Sequence, residues 1–142
     1  MHLVRHAELR DRESLEAIFC QALADAPWLS SNAKARPNFS EVSSGETVIV
    51  CCSPEDQVIG FVSVYVPESF VHHLYVARSQ QGRGVGRALL YSLESWLSMP
   101  WRLKCLTQNE RALAFYLSQG WAEEHRALGP EGPFALLMRC EA

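Results

Sequence analysis

Lysine is scarce in this chain of 142 residues: Lys34 and Lys104 are the only two, against eleven arginines. With 16 acidic residues the formal charge is −3, so the basic excess of a nucleic-acid-binding surface is absent and no nucleic-acid partner is expected. Metal-binding cysteine spacing is absent too. Cys20, Cys51, Cys52, Cys105 and Cys140 are odd in number and contain no CxxC, a pattern that indicates neither a zinc site nor a disulfide framework. They read as buried, reduced thiols of a cytoplasmic protein, with no metal expected. No apolar run approaches the roughly 18 residues of a membrane span. The opening MHLVRHAELR also lacks the apolar core of a secretion signal. Neither a repeat nor a linker divides the chain, and residues 1–142 are expected to form one domain.

What remains is ordinary soluble composition, 48% hydrophobic and 20% charged. His2 to His6 reads as a first strand. From Asp11 to Leu23, Leu15, Ile18, Phe19, Ala22 and Leu23 recur at helical spacing. Residues 25–45 are rich in Ser, Pro and Asn yet hold Trp28 and Phe39, the pattern of a packed or substrate-covering loop. TVIVCC (47–52) and VIGFVSVYV (58–66) predict an antiparallel hairpin, followed by a strand at 69–76. A helix is expected over 87–97, a strand over 101–106, and a second strong helix over 109–119. Two strands around GPEGP close the chain.

The most informative stretch is Arg78-Ser79-Gln80-Gln81-Gly82-Arg83-Gly84-Val85-Gly86-Arg87. Glycines between a strand and a helix let backbone N–H groups approach a ligand, and the helix start adds partial positive charge. Three arginines supply cationic forks, so the segment suits a pyrophosphate. It is not a P-loop, because Arg87 stands where Lys-Ser/Thr would follow. It is not the dinucleotide fingerprint either, since the third glycine comes one residue early.

Together with its neighbours this segment resembles the GNAT superfamily of N-acetyltransferases. Gln81-Gly82-Arg83-Gly84-Val85-Gly86 is similar to the family's acyl-CoA signature, His72-His73-Leu74-Tyr75-Val76 to its central strand, and Asn109 through Trp121, with its Phe115-Tyr116 pair, to its second motif. The resemblance implies a single mixed α/β domain of the α+β type. Its sheet of about six or seven mostly antiparallel strands would have helices on both faces and a splay between the central strands. It implies acetyl-CoA as cosubstrate, an amine acceptor, and a homodimer through the C-terminal strands. Backbone groups of Leu74, Tyr75 and Val76 would pair with the pantetheine arm, beside a bulge near Leu74. Amides and side chains of Gln81, Gly82, Arg83, Gly84, Val85, Gly86 and Arg87 would hold the pyrophosphate. Asn109 suits a helix cap or a contact to the arm.

The same resemblance implies Tyr116 as general acid for the departing thiolate. Phe70 occupies the position where family members often place a carboxylate base. His72 and His73 are the nearby candidates, with His72 on Phe70's side of a regular strand; Glu68 through water, or no enzyme base, stays open. Trp28, Phe39 and Tyr65 are candidates for an acceptor pocket. A non-catalytic acyl-CoA sensor or interaction module is the competing function.

Overall fold

Two β-branched apolar runs and the turn between them form the hairpin that centres the fold. The computed structural model describes residues 2–29 and 38–140. Its strands and helices, in chain order, are β1 (Leu3–His6), α1 (Arg12–Ala24), α2 (Phe39–Val42), β2 (Thr47–Cys52), β3 (Val58–Tyr65), β4 (Phe70–Val76), α3 (Val85–Ser92), β5 (Trp101–Leu106), α4 (Glu110–Ser118), β6 (Ala122–Gly129) and β7 (Gly132–Arg139). One seven-stranded sheet runs β1-β2-β3-β4-β5-β7-β6. Every pairing is antiparallel except that of β4 with β5.

Alternation along the strands divides the core into two layers. On one face Leu15, Ile18, Phe19 and Leu23 of α1, with Phe39 of α2, pack on Val50, Cys52, Val58 and Phe61. On the other, Val85, Leu89 and Leu90 of α3 and Tyr116 of α4 pack on Ile49, Cys51, Val62, Val64, Leu103 and Leu137. The adjacent Cys51 and Cys52 therefore enter opposite layers, as strand periodicity predicts. Burial pushes the Cys51 thiol up to about 11, so it stays protonated and unreactive at neutral pH. Cys20 and Cys140, by contrast, are exposed. The expectation of buried thiols fails for these two: Cys20 lies off the buried face of α1, and Cys140 follows the end of β7.

Helix starts follow local chemistry. Asn38 and Asn109 each accept a backbone N–H from the residue three positions on, at 3.0 and 3.2 Å. Ahead of α1, Asp11 accepts both Arg5 guanidinium nitrogens at 2.7 and 3.0 Å and the Glu8 N–H at 2.8 Å, tying β1 to the helix. The helix expected at 87–97 begins earlier, at Val85, because Gly84 stands at its N-cap with φ 82°. It tightens into a 3₁₀ turn at Leu93–Ser95. Of the irregular stretch at 25–45, Phe39–Val42 is helical, and residues 30–37 lie outside the described residues.

The feature that positions the site is the failure of one strand pair. β4 and β5 meet only at Phe70 and Arg102, where the Arg102 N–H donates to the Ser69 carbonyl at 3.1 Å. Beyond that point they diverge, leaving the edge of β4 without a partner strand among the described residues. Gly60 keeps the opposite edge tight. A Cβ there would stand 2.8 Å from Val85 Cγ1 and 3.1 Å from the Tyr75 carbonyl oxygen, so only glycine lets α3 and β4 pack so close to β3.

Candidate active site

The open edge of β4 has a defined polarity. The Ala77 N–H donates to the Ile59 carbonyl on β3 at 2.9 Å, and Tyr75 pairs with Phe61. Because successive peptide groups alternate in direction, Tyr75 turns its N–H and C=O toward β3, while Leu74 and Val76 turn theirs into the fork. The Val76 carbonyl accepts the Gln81 side-chain amide at 3.3 Å, and Gln81 Oε1 accepts from Arg111 at 3.2 Å. One side chain thus links the fork, the glycine turn and α4.

The bulge in β4 lies at His72, not near Leu74. Ser63 pairs with His73 and Val64 with Val71, which leaves His72 unmatched. One extra residue reverses the pleat. His72 and His73 consequently share a face instead of opposing one another, with ring centroids 4.1 Å apart and planes inclined by 33°. His73 is buried among Phe19, Phe39 and Tyr75. His72 is exposed.

Glu46, immediately before β2, stands across from this pair. Its side chain is only 7% exposed, with Oε2 2.5 Å from His72 Nδ1 and Oε1 accepting the Ser63 hydroxyl. The carboxylate orients the imidazole and leaves Nε2 for chemistry. Glu46, Tyr65, Glu68, Phe70 and His72 line an open cavity of about 320 Å³. The ligand atoms of Glu46, His72 and His73 lie within 4.8 Å of one another. His72 Nδ1 is already bonded to Glu46 Oε2, and the His73 ring is packed among aromatic side chains, so the group reads as a hydrogen-bonded dyad beside a packed ring. Phe39, a candidate for the pocket, is instead a core residue 2% exposed. Tyr65 does line the cavity.

The three glycines of the turn serve two purposes. Gly82 and Gly84 have φ of 78° and 82°, with nothing within 4 Å of an added Cβ. They shape the turn and leave the space before it open. Gly86 lies in α3, where a Cβ would stand 3.2 Å from Phe115 Cζ; it serves helix packing. Among the described residues, no backbone N–H from Gln81 to Arg87 has an internal acceptor; the first to enter the helix ladder is Ala88, on the Gly84 carbonyl at 3.0 Å. Such a row of free donors at a helix start fits an anion. Arg83 and Arg87 are exposed beside it. Arg78 is committed elsewhere: its guanidinium binds Asp25 and its N–H the Gln21 side chain, which ties the turn to α1.

Tyr116 closes the inner end. It is 9% exposed and packs edge-on against Trp121, with centroids 5.7 Å apart. Burial, reinforced by the nearby Cys105 thiol and Tyr75 phenol, pushes its hydroxyl well above the ordinary tyrosine range, so it holds its proton at any working pH. Tyr116 shares a core layer with Leu103 and Cys105 of β5, the strand that diverges from β4. Asn109 caps α4 with its oxygen, and its amide nitrogen has no partner among the described residues. Glu123 and Glu124 are paired with Arg126 and Arg102.

Residues 8–121 match the family model described as Acetyltransferase (GNAT) family. The chain belongs to that family. Membership makes it an acyltransferase, an N-acetyltransferase whose cosubstrate is acetyl-CoA. Solved structures share the fold at low identity. YjaB from Escherichia coli, in its apo form, superposes with a TM-score of 0.79 at 22% identity, covering 100% of this chain and 99% of the other. A ribosomal-protein-alanine N-acetyltransferase from Brucella melitensis gives 0.74 at 21%, covering 98% and 99%. A phosphinothricin acetyltransferase from Sinorhizobium meliloti, in complex with acetyl-CoA, gives 0.72 at 17%, covering 98% and 88%. No curated protein matches the sequence.

Two residues escaped the sequence reading. Glu46 sits at a turn before β2 with no motif around it, and Gly60 looks like any glycine in a strand. A bulge in β4 was expected from the resemblance, but its place at His72 was not legible, because a bulge is a property of the pairing.

Proposed function

We propose that the enzyme transfers the acetyl group of acetyl-CoA to a primary amine by direct attack in a ternary complex. His72 is its general base and Tyr116 its general acid. The observation that carries this reading is the unpaired edge of β4, flanked by the Glu46–His72 pair at one end and the free N–H row of Gln81–Arg87 at the other. Bound acetyl-CoA supplies an activated acyl carbon. The N–H groups of Gly82 to Arg87, with Arg83 and Arg87, hold the pyrophosphate. Leu74 and Val76 bind the arm as an added strand, and Gln81 and Asn109 steady its path.

The acceptor amine enters at the His72 end. As its nitrogen bonds to the acyl carbon, the amine proton passes to His72 Nε2 and the carbon–sulfur bond breaks. Tyr116 gives its proton to the departing sulfur, so an amide and a free thiol result. Burial makes the Tyr116 phenol a weaker acid, and the same apolar surroundings favour the neutral thiol over its thiolate, which offsets part of that loss. No cysteine takes part: Cys105 is held up to about 11 by burial, and a covalent acyl-enzyme is not required.

Steady-state kinetics of His72→Gln and His73→Gln separate the two histidines. The first loses about a hundredfold or more in kcat, with acetyl-CoA affinity kept. The second acts through packing, losing stability more than turnover. The reverse order would assign the base to His73.

A further inference from the structure

The cavity in front of His72 has a chemical bias that the transfer reaction does not require. Among the described residues its lining holds two carboxylates, Glu46 and Glu68, two aromatic rings, Tyr65 and Phe70, and no arginine or lysine. Glu46 is engaged with His72 and Ser63. Glu68 has no hydrogen bond or ion pair within the described chain, and it projects from the short turn Val66–Glu68. Arg102, a cation at the root of the fork, is bound to Glu124 at 3.0 Å and is not available to balance that charge. The turn itself is fixed: Ser69 adopts φ 49° and its carbonyl is held by the Arg102 N–H.

We infer that the acceptor is a small, unbranched primary amine carrying a second cationic nitrogen. The reacting nitrogen meets His72, the alkyl chain lies against Phe70 and Tyr65, and the second ammonium sits by Glu68 and the tyrosine face. A volume of about 320 Å³ is at the small end for ligand pockets and suits such a chain. An amine bearing an acid group would instead bring like charge to Glu68. The inference rests on the transfer reaction proposed above and adds the substrate class to it.

The test compares three acceptors of equal length at saturating acetyl-CoA: terminal diaminobutane, butylamine and terminal aminobutanoate. The expected order of kcat/KM is diamine, then monoamine, then amino acid, with the first two about tenfold apart. In Glu68→Gln that ratio falls toward one, and in Glu68→Lys the preference turns toward aminobutanoate. Equal rates for diamine and monoamine, or a ratio that ignores both substitutions, overturn the inference while leaving the transfer chemistry intact. Calorimetric binding of the diamine to enzyme saturated with CoA separates the remaining case. Glu68-dependent binding without turnover upholds the substrate class and refutes the catalytic assignments.

Discussion

Replacing Tyr116 with Phe removes one oxygen from a well-packed position, and the consequences for stability and for catalysis can be set apart. The ring stays, with its edge-on contact to Trp121 and its place among Leu89, Leu103 and Leu137. Deleting a single buried hydroxyl is expected to change stability by no more than about 1 kcal/mol. Tyr116→Ala, which empties the position, is expected to cost about 3–5 kcal/mol. Catalysis responds differently. If Tyr116 protonates the leaving sulfur, its loss costs on the order of 10²-fold or more in kcat, or about 2.7 kcal/mol of barrier. Acetyl-CoA affinity is expected to stay the same, because the N–H row proposed to hold the pyrophosphate is untouched. Stopped assays of thiol release give kcat, calorimetry gives affinity, and urea unfolding gives stability. A kcat within about twofold of the parent, at full stability, removes Tyr116 from the mechanism.

The remaining predictions concern the frame. Gly84→Ala meets no steric obstacle, so its cost is the left-handed backbone alone, about 1–2 kcal/mol; weakened CoA binding measured by calorimetry is the expected sign. Gly60→Ala drives a methyl against Val85 and the Tyr75 carbonyl. It is expected to lower stability by about 1–3 kcal/mol and to disturb β4 enough to raise the KM for acetyl-CoA. Arg5→Gln breaks the bidentate pair that holds the Asp11 carboxyl below the usual aspartate range. The pair stabilises the fold at neutral pH and its contribution is lost as pH falls through the depressed value. The variant's deficit should therefore be about 3 kcal/mol near pH 7 and should shrink below about pH 4. A deficit that is constant with pH would contradict that linkage.

Much of this architecture could be read directly from residue patterns. Apolar, strand-forming runs between turn residues placed β2, β3, β5 and β7 to within a residue or two, and helical spacing located α1 and α4. Asn109 was read as either a cap or a contact to the arm, and the capping bond from the Ala112 N–H, a local feature, is present. The start of α3 was missed because Gly84 sets it through its φ, which composition does not reveal. The site was legible where its groups are consecutive, as in the glycine turn, and illegible where they meet across strands. Glu46 reaches His72 over 26 positions. The shared face of His72 and His73 depends on how β4 registers against β3, a long-range pairing that no local window contains.

Amide hydrogen exchange read residue by residue, with and without CoA, tests the central claim most directly. The N–H groups of Gln81 to Arg87 are expected to exchange fast in the free enzyme and to become protected when CoA binds, together with those of Leu74 and Val76. Exchange at these positions that is already slow without ligand, or that CoA leaves unchanged while protecting another surface, contradicts the account.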